Sequence, residues 1–335
     1  MKVLFDHPDP FLFAHGGFQI QIEQTKAALE AAGVEVEYLR WWDDQQKGEI
    51  IHYFGRPSPF YLGSAHQKKI KVVLAQILTG LGSRSTWLLP LQQAAIASAR
   101  HLLPKIATGY FCWDSFQLAD ACVALTRWEA TLMSRMFSAP AERVRVVPNG
   151  VEPVFLESHP TPRGQWLVCT ATITERKRVL ELAQASALAQ TPVWIIGTPY
   201  SDTDTYARRF LAAAKQHPKF IRYEGGIRDR TQLAQIYRAA RGFVLLSTKE
   251  SLSLSALEAA ACECPLLLSD RPWATMEFRE HATYCPIASP QRTAPVLRQF
   301  YDAAPGLKPP PKPLSWLEVG RQLKRVYEAM LSTSR

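Results

Sequence analysis

Glu250 and Glu258 are two carboxylates eight residues apart in the stretch from Ser247 to Pro265. Carboxylates are poor ligands for phosphate but good acceptors for sugar hydroxyls. Between them, Ser255 to Ala261 lacks Gly and Pro and is rich in helix formers. The start of such a helix offers free backbone N–H groups and a positive dipole end to an anion. A phosphate site flanked by two hydroxyl acceptors suits a nucleotide sugar. Solvated surface glutamates are the plainer reading of the same pair.

The flanking sequence must position these groups. Gly242-Phe-Val-Leu-Leu246 and Pro265-Leu-Leu-Leu-Ser-Asp270 are apolar runs of strand length. Strand, polar turn, helix and strand make one βαβ unit. Glu250 then lies in the turn at the first strand's carboxyl end, and Glu258 about one turn into the helix. Open α/β sheets bind ligands outside the carboxyl ends of their strands.

The same alternation runs through the chain. Lys2–Phe5, 34–39, 49–54, 70–75, 121–125 and 144–147 read as strands. Phe18 to Ala32, closed by Gly33, and Arg127 to Phe137 read as helices. Arg56 to Gln67 reads as a loop. Ser85 to Leu103 reads as mostly helical, with a kink at Pro90. Four prolines in 153–165 mark a linker. The second half repeats the pattern with strands at 166–169, 193–196 and 220–223, and with helices at 179–188, 204–216 and 231–240. A last amphipathic helix spans 316–331. The fold class predicted is α/β, two doubly wound Rossmann-like domains over 1–155 and 156–335, with the terminal helix near the interdomain joint.

At 335 residues the chain exceeds one ordinary core. Its 47% apolar and 10% aromatic content is that of a globular protein. No apolar run reaches the ~18 residues of a membrane span, and the start has no signal-peptide shape. Six cysteines without repeated CxxC spacing read as reduced thiols in a cytoplasmic protein. The net charge of +9 falls wholly in residues 159–335, which hold 24 Lys/Arg against 15 Asp/Glu. That asymmetry suggests an anionic partner. The charges are scattered, which argues against nucleic acid. Asp202-Thr-Asp204 resembles a metal-binding pair, but its place before a helix favours N-capping.

Several stretches together resemble the retaining glycosyltransferases of family four, which have the GT-B fold. They are Gly16-Gly17 before an amphipathic helix, Val146-Val-Pro-Asn-Gly-Val-Glu152 with Phe155, Lys177 with Val179, Glu224-Gly-Gly-Ile227, Ile236-Tyr-Arg-Ala-Ala240, and Glu250 to Glu258 with its Ala-Ala-Ala-Cys tail. The resemblance implies a metal-independent, cofactor-free transfer from a nucleotide-sugar donor to a glycan, lipid-linked or small-molecule acceptor. Gly17 would lie by the donor. Glu250 would accept from donor-sugar hydroxyls and Glu258 from the ribose. Backbone amides at Leu252, Ser253, Leu254 and Ser255 would face the diphosphate, and the Ile227 backbone would sit by the base. Lys177, helped by Arg176 or Arg178, would offset the charge that builds on the leaving phosphate. Peripheral contact with the inner membrane face stays open, with His66 to Lys71 as a local basic patch.

Three positions depart from the family pattern. Thr172 stands where an Arg is usual, Glu250-Ser-Leu-Ser253 replaces two glycines, and Gln76 stands where a His is often found. His15, His52 and His66 are other candidates for that His. These departures keep two alternatives open: a degenerate member that binds a nucleotide sugar or a partner without turnover, and a sugar-nucleotide epimerase.

Overall fold

A computed structural model describes residues 1–8, 10–11, 16–104, 109–201 and 203–332. His15 and Asp202 lie outside the described residues. The chain divides into two compact units, residues 1–150 with 316–335, and residues 151–315.

The first unit holds a six-stranded parallel sheet of β1 (Lys2–Asp6), β2 (Glu35–Tyr38), β3 (Ile50–Tyr53), β4 (Lys71–Leu74), β5 (Ala121–Ala124) and β6 (Val144–Val146). The strand order is β2-β1-β3-β4-β5-β6. β3 and β5 are buried at every residue, as parallel strands covered on both faces must be. Counting helices of seven or more residues, this unit contributes α1 (Gly17–Ala31), α2 (Pro59–Gln67), α3 (Leu89–Leu102) and α4 (Arg127–Phe137).

Two local expectations change here. The stretch 56–67, expected as a loop, contains α2. Ser58 caps it by accepting from the Tyr61 amide at 3.1 Å, and Pro59 occupies its first position. A proline there loses no intrahelical bond and presets φ. Pro90 likewise sits in the first turn of α3 rather than kinking a longer helix.

The second unit repeats the architecture with β7 (Leu167–Thr170), β8 (Val193–Ile196), β9 (Ile221–Tyr223), β10 (Gly242–Leu245), β11 (Leu266–Ser269) and β12 (Thr283–Cys285). The order is β12-β11-β10-β7-β8-β9, all parallel. Read from β9, this is the 3-2-1-4-5-6 order of dinucleotide-binding sheets. Its helices are α5 (Val179–Ala189), α6 (Thr205–Gln216), α7 (Arg230–Ala239), α8 (Leu254–Ala261), α9 (Pro272–Phe278) and α10 (Pro290–Ala303). Asp204 caps α6 by accepting from the Tyr206 amide at 2.9 Å, the role its position implied.

The last helix, α11 (Trp316–Ser332), belongs to the first unit. This corrects the domain boundaries 1–155 and 156–335: the chain divides after Gly150, and its terminal helix returns. The reason lies in contacts that an apolar stripe alone does not specify. Val319, Leu323 and Tyr327 are buried, and the Tyr327 hydroxyl meets His52 Nδ1 in β3 at 2.6 Å. A Cβ on Gly320 would lie 2.3 Å from the Ala28 carbonyl oxygen of α1, so only a glycine permits that approach. Burial presses the His52 imidazole down to about 3, which keeps it neutral in this contact.

The corrected boundary also redistributes charge. Residues 1–150 with 316–335 hold 19 Lys/Arg against 15 Asp/Glu, and residues 151–315 hold 20 against 15. The excess is shared, +4 and +5, so the expected basic half is not a property of one unit.

Candidate donor site in the second unit

The sheet of the second unit reverses its direction of winding between β7 and β10. The loops that leave these neighbouring strands part to opposite faces and open a crevice at their carboxyl ends. Glu250 lies in the loop after β10, and Arg176, Lys177 and Arg178 lie in the loop after β7. The two loops are knitted by backbone. The Arg176 carbonyl accepts from the Thr248 amide at 2.9 Å, from Thr248 Oγ1 at 3.1 Å and from Ser247 Oγ at 3.3 Å.

Side chains then converge. Glu250 Oε1 accepts from Arg176 Nη1 at 3.0 Å and from Lys177 Nζ. Arg176 Nη1 also donates to the Lys249 carbonyl at 2.7 Å. The Glu250 side chain is only 11% exposed and that of Lys177 12%, so this pairing is shielded from bulk water. Arg178 takes a left-handed conformation, φ 55°, at the start of α5, and turns away to the Ala288 carbonyl and Glu181. It therefore does not join Arg176 and Lys177 at Glu250.

Ser253 caps α8 by accepting from the Ala256 amide at 3.4 Å. Leu254 and Ser255 follow as the first helical residues, whose amides have no carbonyl of the same helix to bond. Leu252 is buried beneath the turn. None of Glu250 to Ser253 has a positive φ, so the backbone here does not require the two expected glycines.

Glu258 faces inward from α8 and is nearly dry. Its Oε1 accepts from Arg230 Nη2 and its Oε2 from the Tyr237 hydroxyl at 3.4 Å. Arg230 also donates through Nε to Glu152, and its guanidinium lies 4.7 Å from the centre of the Phe155 ring. The Tyr237 hydroxyl meets Thr170 Oγ1 at the end of β7. Burial pushes the Glu258 carboxyl above its ordinary range, and the charge of Arg230 opposes that push. Burial also keeps Tyr237 firmly protonated, so it serves as a donor.

The loop after β9 holds Ile227, half-buried. It is tied to the loop after β8 by the Gly197 amide, which donates to the Gly225 carbonyl at 3.0 Å. A Cβ on Gly197 would fall 1.9 Å from the Ala171 carbonyl oxygen, so the loops after β7, β8 and β9 are packed backbone on backbone.

Ten residues were expected to hold or convert a donor. Nine of them, Arg176, Lys177, Ile227, Glu250, Leu252, Ser253, Leu254, Ser255 and Glu258, lie in the second unit on loops or helix starts at strand carboxyl ends, or on the helix that follows. Gly17 is in the first unit, as the first residue of α1. Gln76 donates to the Ile77 carbonyl at 2.8 Å, and His66 pairs with Asp120 at 2.9 Å. Among the described residues no three His, Cys, Asp or Glu side chains come together as a metal site. Arg230 and Tyr237 were not singled out from the sequence. The available signal was position: Arg230 opens the helix directly after the Gly-Gly loop, and Glu152 closes the Pro-Asn-Gly-Val segment.

Residues 164–302 match the family described as glycosyl transferases group 1. A D-inositol 3-phosphate glycosyltransferase of Jonesia denitrificans is 28% identical over 206 residues, covering 53% of this chain and 48% of the relative. The chain thus spans about half the length of that relative. Among solved structures, a sucrose-phosphate synthase of Thermosynechococcus elongatus superposes with a TM-score of 0.69 at 16% identity, covering 99% of each chain. HepE of Anabaena in complex with UDP and glucose superposes with a TM-score of 0.64 at 14% identity, covering 98% of this chain and 99% of the other. At these identities the likeness is one of fold, the GT-B fold of two Rossmann-like units. The match to the glycosyl transferases group 1 family thus lies within the second unit of this chain.

Proposed function

We propose that the chain is a retaining glycosyltransferase that moves a sugar from a nucleotide-sugar donor onto an acceptor hydroxyl. The convergence of Arg176 and Lys177 on Glu250 at the β7–β10 switch point carries this reading. A buried carboxylate beside two cations is what a sugar diphosphate needs. Glu250 accepts from the sugar hydroxyls, and the cations take the charge that grows on the departing phosphate oxygen. Arg176 then supplies the guanidinium that Thr172 cannot. The amides from Leu252 to Ser255 support the diphosphate, Glu258 accepts from the ribose, and the Ile227 backbone lies by the base. HepE's complex with UDP and glucose makes UDP the first nucleotide to try.

In the reaction the acceptor oxygen bonds to the anomeric carbon as the bond from that carbon to the phosphate oxygen breaks. The acceptor proton passes to the leaving diphosphate. Attack from the face the phosphate leaves preserves the anomeric configuration, and the residues named supply the charge stabilisation without a metal ion. Proton NMR of purified protein with UDP-sugars and a panel of glycoside acceptors tests this. An α-linked donor should give an α-linked product, and Glu250→Ala or Lys177→Ala should slow turnover by about 10²–10³-fold. A β-linked product would contradict retention. Nucleotide binding without loss of any donor would favour the second reading, a sugar-nucleotide binder without turnover, which Thr172 motivates.

A further inference from the structure

One helix of the first unit is apolar on two opposite sides. α3 reads Leu89-Pro-Leu-Gln-Gln-Ala-Ala-Ile-Ala-Ser-Ala-Arg-His-Leu102. Its Leu89 and Ile96 enter a core with Leu132, Met133 and Met136 of α4. The other side carries Leu91, Ala94, Ala95, Ser98 and Leu102, at the spacing of one helix face. Trp87 extends that face by one turn, from the 3-10 turn Thr86–Leu88. All six are exposed, Trp87 by 71%, Leu91 by 66% and Leu102 by 82%. A surface helix ordinarily turns polar residues to water, and a contiguous apolar stripe left exposed marks a contact surface. We propose that this stripe pairs with the same stripe of a second copy of the chain, the two α3 helices running antiparallel about a two-fold axis between Ala94 and Ala95.

Shape and area both suit a second copy. A two-fold contact must be self-complementary, because the same patch serves both partners. Reversing the stripe about its midpoint sets Trp87 against Leu102, Leu91 against Ser98 and Ala94 against Ala95. A large side chain then meets a small one on either side of the axis, and the alanines at the axis let the helices approach to about 8 Å. At the exposures observed, the stripe offers roughly 600 Å² per copy, so a pair buries about 1,200 Å², the lower end for a specific interface.

Charge decides between a second copy and a lipid surface. Residues 50–113 hold seven Lys/Arg and no Asp/Glu, so an anionic bilayer is the rival occupant. A helix that lies in a bilayer surface lines its polar edge with Lys and Arg and inserts large apolar side chains. α3 has only Arg100 to offer, and Arg100 turns to the protein, donating through Nη1 to Ser138 Oγ and through Nη2 to the Phe137 carbonyl, each at 3.3 Å. Arg84, ahead of the helix, donates to Gln92 Oε1 at 2.6 Å. The stripe itself is uncharged, and three of its six residues are too small to anchor in lipid. An uncharged face with a small-residue centre can meet its own copy without bringing like charges together at the axis.

Sedimentation equilibrium of the full chain across micromolar concentrations tests this. The parent should reach the mass of a dimer. Leu91→Arg and Ala95→Arg, each on an exposed residue, should keep the parent's circular dichroism and raise the dissociation constant at least about 100-fold, since each would bury an unpaired charge. Ala95→Cys, beside the axis, should form a disulfide-linked dimer on mild oxidation, above any yield from the parent. Gln93→Cys, exposed but off the stripe, should not. The cysteine pair decides the matter if an arginine variant fails to fold. A monomer at every concentration, a dimer that survives both arginines, or equal cross-linking at 93 and 95 would overturn the proposal. So would a monomer that binds phosphatidylglycerol vesicles and loses them on Trp87→Ala, which would give the stripe to lipid.

Discussion

The ribose-binding role proposed for Glu258 requires a charged carboxylate, yet the residue sits where burial favours its protonated form. Arg230 resolves this conflict, because a cation in contact lowers the energy of the carboxylate. Arg230→Gln removes that support and leaves Glu152 without its partner. Its side chain is 34% exposed, which discounts the cost of a fully buried pair, so the loss of stability should be about 2 kcal/mol. The more telling readout is the pH profile of nucleotide binding. Affinity should rise with pH as Glu258 ionises, and in Arg230→Gln the midpoint should move to higher pH, with Arg230→Lys in between. The sign for folding is opposite. A carboxyl whose folded pKa is raised contributes stability that is full below the unfolded value near 4.5 and is lost as pH rises through the folded one. An unshifted midpoint would mean that Arg230 is only a structural tether. At this scale the sequence showed the acidic pair through its spacing. It could not show Arg230, because a guanidinium 28 residues from its carboxylate has no local signature.

At the scale of elements, strand–helix alternation is written locally and was legible. The expected strand at 242–246 and helix at 255–261 appear as β10 and α8 with ends shifted by a residue. Strand order was not legible, since hydrophobic runs do not name their neighbours. That order places the loops after β7 and β10 side by side, and so creates the site. The partner of α11 was equally hidden. Its amphipathic face fits either unit in principle, and the choice rests on the Gly320–Ala28 approach and the His52–Tyr327 bond. Gly320→Ala should therefore force α11 off α1 and destabilise the first unit by about 1–3 kcal/mol. The check is a lower melting temperature with UDP affinity of the second unit unchanged. A melting temperature equal to that of the parent would show that the helix does not depend on this contact.

For the whole molecule, the corrected division changes how charge and cysteines read. Both units carry a modest positive excess, so in the proposed function the attraction of an anionic donor rests on Arg176 and Lys177 rather than on a bulk field. All six cysteines are free, five are buried, and burial pushes Cys122, Cys169, Cys262 and Cys264 up to about 12, which makes them poor nucleophiles. The first requirement of the proposed donor site is a nucleotide. Thermal unfolding of the purified chain across UDP, GDP, ADP, CDP and TDP measures that requirement most directly. A diphosphate at ~100 times its dissociation constant should add about 2.7 kcal/mol and raise the melting temperature. One nucleotide should do so, and Lys177→Ala and Glu258→Ala should each abolish the shift. No shift with any nucleotide, or a shift that survives both substitutions, would contradict a donor site built on these residues.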